Sequence, residues 1–163
     1  MQYQKTIDKA LTEKPANRVS ISNKTNIMET RKCECMGGVC APRRKQGLEV
    51  KPKKGKYELV KLKGPGLFLG AHLSKQGGTN DISFVDLTID GQNVFNLSYA
   101  AMRNLGFTQQ NPYGMVLVKT GLIENVTLGF PYPLKFEKEL VLTFSTNEPN
   151  IDQVIGNVIY GKC

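Results

Sequence analysis

The chain has 163 residues, 40% of them hydrophobic, no tryptophan and a formal net charge of +8. That length suits one domain, or a domain of roughly 100 residues with an extension. No apolar run approaches the ~20 residues that a membrane-spanning helix needs. The opening residues, MQYQKTIDKALTEK, are polar and lack the apolar stretch of a standard secretory signal, so a soluble chain made in the cytosol is expected.

Charge is unevenly spread. Residues 1–64 hold 16 Lys/Arg against 6 Asp/Glu, whereas residues 65–163 hold 6 against 8. The sequence therefore divides into an extended basic arm, residues 1–56, and a β module, residues 57–163. Such an arm can neutralise nucleic acid or an acidic protein surface, or simply stay solvated.

Within the arm, Tyr3, Ile7, Ala10 and Leu11 share one side of a short amphipathic helix that Pro15 ends. It is too short to be stable without a partner surface. Residues 16–32 are rich in Asn, Ser, Thr and Lys and cannot bury enough apolar area to fold by themselves. Cys33, Cys35 and Cys40 then fall within eight residues. Their spacing could supply three thiolates to zinc, with Cys163 or His72 as a fourth ligand. A four-ligand site ordinarily shows a second knuckle, which is absent, so disulfides or free thiols stand as alternatives and no other cofactor is expected.

Arg43, Arg44, Lys45, Lys51, Lys53 and Lys54 follow as the expected partner-binding surface of the arm. Pro and Gly interrupt them and no aromatics are interleaved, so contact with nucleic acid would track phosphate without reading bases. The arm lacks the apolar face of a membrane-binding helix, and no membrane partner is expected.

The module opens with two strand-like runs, Tyr57–Lys63 and Leu67–Leu73, read as a strand pair meeting at Gly64-Pro65-Gly66. In DISFVDLTID the apolar phase changes between Phe84 and Val85, which predicts a bulge or a strand buried on both faces. Asp90-Gly91 signals a hairpin. Tyr99–Leu105 reads as a short helix with Ser98 as N-cap and Gly106 as its stop. Met115–Lys119 and Leu122–Leu128 read as paired strands around Gly121. Leu134, Phe136, Lys138, Leu140, Leu142 and Phe144 share one phase of a single long strand. Ile151–Tyr160 supplies the last strand. About eight short strands with turn signals between them predict an all-β fold: a single jelly-roll-like β-sandwich with one short helix.

Catalytic parts are few. His72 is the sole histidine and sits inside a strand. No phosphate-binding glycine loop precedes a helix. Glu137 and Glu139 fall on one face of the predicted long strand, at a separation a glycosidase could use, but carboxylates on a single strand rarely flank a substrate from both sides. Asp81, Asp86 and Asp90 lack the spacing of a calcium loop. Asn23, Asn96 and Asn125 begin glycosylation sequons of the kind expected by chance in an Asn-rich chain.

The module Leu59–Tyr160 resembles the jelly-roll subunits of viral particles, in particular tailed-phage structural proteins. The motifs that carry this are Gly64-Pro65-Gly66, the Asp90-Gly91 hairpin and the lead Phe130-Pro131-Tyr132-Pro133 into Leu134-Lys135-Phe136. A related jelly roll occurs in some trimeric fructan-acting glycosidases. The resemblance implies a non-catalytic structural subunit of the virion, a capsid, decoration or tail component, whose partners are copies of itself and neighbouring particle proteins. Two alternatives are a glycan-binding or glycan-cleaving sandwich using Tyr99, Tyr113 or Tyr132 at a rim, and a nucleic acid-contacting particle protein with a zinc knuckle.

Overall fold

Strands with one apolar face bury it by stacking two sheets face to face, and the described residues do this with ten strands and one helix. The computed structural model describes residues 41–78 and 81–162. In chain order the elements are β1 (Pro42–Val50), β2 (Gly55–Lys63), β3 (Gly66–Gly77), β4 (Phe84–Ile89), β5 (Gln92–Ser98) and α1 (Tyr99–Asn104), followed by β6 (Val116–Thr120), β7 (Ile123–Leu128), β8 (Leu134–Phe136), β9 (Glu139–Thr146) and β10 (Ile151–Lys162). The all-β sandwich with one short helix expected from sequence is present.

One sheet runs β1-β10-β3-β7-β6, with β8 continuing along the β7 edge of β3; the other runs β2-β9-β4-β5. All pairs are antiparallel. Phe68, Leu73 and Val158 of the first sheet and Leu87, Leu142 and Phe144 of the second are among the residues that fill the space between them.

Local signals act as the sequence predicts in several places. Asp90 and Gly91 both take positive φ, 50° and 81°, in the tight β4–β5 turn. The Ser98 hydroxyl accepts the Ala101 N–H at 3.0 Å and starts α1. The inward phase of β4 is Val85, Leu87 and Ile89; Ile82 and Phe84 are exposed, and a ladder irregularity falls at Leu87/Thr88.

Three expectations are corrected. Pro42–Val50, expected in the arm, forms β1, paired along its whole length with β10, so the expected boundary at residue 57 falls inside β2. Its composition, PRRKQGLEV, carries too little apolar alternation to announce a strand, and β10 supplies the order. The runs on either side of Gly64-Pro65-Gly66 are not a pair either, because β2 belongs to one sheet and β3 to the other. Finally, the predicted long strand from Leu134 to Phe144 breaks at Glu137-Lys138, and the chain changes sheets there. The backbone N–H groups of Glu137, Lys138 and Glu139 donate to the Asp90 carboxylate at 2.7 to 2.9 Å, and the Lys138 carbonyl accepts the Gly64 N–H at 2.7 Å. Those bonds replace strand pairing across the corner. Alternation survives the break because both halves face the same core.

One edge of the sandwich is closed by steric fit. Gly47 of β1 lies opposite Gly156 of β10. Leu59 is the extra residue where the β2–β9 register shifts, and it seats over both glycines. A Cβ on Gly47 would overlap the Leu59 carbonyl. Gly47→Ala should therefore destabilise the fold by about 1–3 kcal/mol through overpacking. Arg44→Ala, on the exposed side of the same strand, should stay within about 0.5 kcal/mol. Urea unfolding followed by circular dichroism checks both values.

Candidate functional sites: a buried ion cluster and a basic edge cleft

The densest group of ionisable side chains lies inside the fold. Lys75 continues the inward phase of Ala71 and Leu73 on β3 and is only 1% exposed. Its register partner across the ladder is Glu124 of β7, itself 2% exposed. The Lys75 ammonium donates to both carboxylate oxygens of Glu148 at 3.2 Å and lies 2.8 Å from Glu124 Oε2. It also sits 4.7 Å from the centre of the buried Tyr99 ring, within cation–π range.

An outer ring of charges completes the cluster. Arg103 of α1 spans Asp81 (2.6 Å) and Glu124 (3.0 Å). Lys119 of β6 spans the same two carboxylates at 3.4 and 3.0 Å. Glu148 also accepts the Ser83 N–H and hydroxyl, at 3.0 and 2.8 Å. Three cations thus face three carboxylates drawn from β3, β6, β7, α1 and the segments flanking β4 and β9.

The electrostatics follow from this packing. For Asp81, partial burial opposes ionisation, but hydrogen bonds and the charges of Arg103 and Lys119 outweigh it and hold the carboxyl far below its ordinary range. Arg103 is held above its ordinary range, chiefly by its hydrogen bond to Asp81, and Lys119 by its bond to Glu124. Tyr99 is pushed well up by complete burial and by the charges of Glu124 and Glu148. Lys75, Glu124 and Glu148 are sealed from solvent, so this arrangement acts as an internal lock on the fold.

The basic residues singled out in sequence separate into different places. Arg43 and Lys45 point from β1 into a cleft of about 430 Å³ at the β1/β2 edge, joined there by Lys61 and Lys63 of β2 and Lys162 of β10. Leu62, Pro65, Phe136 and Tyr160 complete its lining. Lys51, Lys53 and Lys54 lie in the β1–β2 connection, beside Asn150 and Asp152. Arg44 alternates to the outer face, opposite Ile159. The sequence reading missed Lys61, Lys63 and Lys162 as members of one basic surface. Spacing could have shown only that Lys61 and Lys63 share a strand face.

Other expectations fall as follows. Cys33, Cys35, Cys40 and Cys163 lie outside the described residues; among the described residues no group of His, Cys, Asp and Glu is placed to hold a metal ion. Glu137 and Glu139 do not share a strand; Glu137 pairs with Lys135, and Glu139 with Lys61 at 3.0 Å. Tyr99 is buried in the core and leaves the expected rim, whereas Tyr113 and Tyr132 are exposed. No protein-family model matches the sequence, and no curated protein sequence matches it.

Removing the central cation takes a shared counter-charge from two buried carboxylates. Lys75→Met should therefore cost about 3–5 kcal/mol, with part of that loss recovered when Glu148→Gln is added, as read by a double-mutant cycle in urea.

Acid should weaken the same lock. A depressed carboxyl contributes stability above its unfolded pKa and loses that contribution as pH falls through the folded value. Stability should hold above about pH 4 and decline below it. Asp81→Asn should lower stability at neutral pH and flatten the acid limb; unfolding midpoints measured across the acid range check this.

Proposed function

We propose that the chain is a structural subunit of a viral particle, a jelly-roll sandwich that assembles with copies of itself and neighbouring particle proteins and has no catalytic role. The observation that carries this reading is the strand order. Setting aside β6 and β8, one sheet runs β1-β10-β3-β7 and the other β2-β9-β4-β5. Chain-distant partners therefore nest around the β4–β5 hairpin: β3 meets β7, β2 meets β9 and β1 meets β10, while β4–β9 and β3–β10 link the nested pairs. This nesting supports a jelly-roll reading, in which two Greek keys wrap into a sandwich of the kind used by viral capsid domains and lectins.

Two surface features support the assembly part of the reading. Among the described residues β1 is an edge strand whose outer hydrogen-bonding side has no strand partner, and such a side can accept another chain. Leu48 and Val50 on its outer face are 52% and 58% exposed, and Ile159 of neighbouring β10 is 46% exposed. Leu48 and Val50, neighbours on the outer face of an edge strand, suit burial against another subunit. On this reading the basic N-terminal segment is a second contact to neighbouring particle proteins, and the protein resides in the virion.

Light scattering and electron microscopy of the full-length protein test the proposal. The expected result is a defined oligomer or larger ordered assembly that Leu48→Lys with Val50→Lys reduces to smaller species. A monomer at the highest soluble concentration would count decisively against self-assembly.

A further inference from the structure

We infer that the cleft between β1 and β2 is a binding site for the sugar-phosphate backbone of single-stranded nucleic acid. Among the described residues, Arg43, Lys45, Lys61, Lys63 and Lys162 line it, and no carboxylate does. The five cations come from three separate strands, so the fold assembles a charged surface that no single run of sequence contains. The inference concerns the folded module and stands apart from any contact made by residues 1–40.

The cations are not equivalent. Lys61 pairs with Glu139 at 3.0 Å and with Glu58 at 3.9 Å, and the Lys45 ammonium donates to the Lys61 carbonyl at 2.6 Å. These two are anchored to the walls. Among the described residues, Arg43, Lys63 and Lys162 make no ion pair, and all three are exposed. An unpaired arginine offers the planar fork that fits a phosphate, and the two lysines add point charges around it.

Shape and lining choose among polyanions. The half-buried Tyr160 lies directly across the ladder from Arg43, and both residues line the cleft. An aromatic face next to phosphate-binding cations suits a nucleotide, whose base can stack while its phosphate is neutralised. A sulfated glycan has the charge but no π-face to match the ring. At about 430 Å³ the cleft is of small-ligand size. Stacking on an aromatic ring needs an unpaired base, which favours a single strand over a duplex.

The test uses the full-length protein and a fluorescein-labelled oligothymidylate about a dozen nucleotides long, with binding read by anisotropy at about 0.1 M salt. Arg43→Gln/Lys63→Gln/Lys162→Gln should weaken binding at least about tenfold and lower the salt slope by about 2, near 0.7 per lost phosphate contact. Lys51→Gln/Lys53→Gln/Lys54→Gln removes equal charge elsewhere and should change affinity less than about twofold. Photocrosslinking of the unmodified protein, independent of any variant's folding, should place adducts on peptides containing Tyr160 or Lys63. Equal losses in the two triple variants, undetectable binding, adducts confined to residues 1–40, or tighter binding of duplex or heparin fragments would each overturn the proposal.

Discussion

A lysine in a hydrophobic core sets the terms for the fold around it. Withdrawing an ammonium or a carboxylate from water costs several kcal/mol per ion, so Lys75, Glu124 and Glu148 are tolerable only with close partners. Lys75 and Glu124 are direct cross-strand neighbours on β3 and β7. A one-residue slip of that ladder would turn one of them out to solvent and bury the other without its partner. Glu148 follows β9, and Arg103 lies on the helix that follows β5, so the requirement reaches from one sheet to the other. Hydrophobic packing favours many close-lying arrangements of two sheets. The ion cluster is satisfied by one of them.

The corners and edges show the same economy by different means. At the sheet change after β8, the Asp90 carboxylate gathers three backbone N–H groups that have no strand partner. Its carboxyl is lowered despite some burial because those bonds favour the ionised form. At the β1 edge the device is space: two opposed glycines receive Leu59 where β2 carries one residue more than its partner. A bulge that aims one side chain inward needs matching room in the facing sheet. Beyond that contact, the inward-phase positions of β1 are Lys45 and Arg43, both exposed. An apolar residue there would face water, and cations line the opening instead.

Much of this was legible in local pattern. The β4–β5 turn, the β6–β7 pair around Gly121 and the Ser98-capped helix each depend on a few adjacent residues, and each formed where the spacing placed it. What escaped reading depends on distant partners. β1 is a strand because β10 offers a ladder, and its own composition looks like a solvated basic run. The division of 134–144 depends on Asp90, more than forty residues upstream. Lys75 lies beyond Leu73, where the predicted strand ends, yet β3 runs on to Gly77 and carries the inward Ala71–Leu73 phase to it. Its compensating charges lie as far as 73 residues away in sequence, and no window around position 75 contains them.

The charge asymmetry takes a different form once partners are assigned. The described residues hold 15 Lys/Arg against 10 Asp/Glu. Asp81, Glu124 and Glu148 are committed to the internal cluster, Glu58 and Glu139 to Lys61, Asp86 to Lys56, Glu137 to Lys135, and Asp90 to backbone. Nearly every carboxylate is engaged within the module, and the surplus is cationic. That surplus gathers along β1, the β1–β2 connection and the end of β10, which are neighbours in space though β10 lies at the far end of the sequence. The positive charge that composition assigns to an N-terminal arm therefore belongs in part to the sandwich itself. It prevails at that edge because most of the acidic residues are held inside the fold, at its corners or in pairs on its surface, which leaves Glu49 and Asp152 beside a larger number of cations.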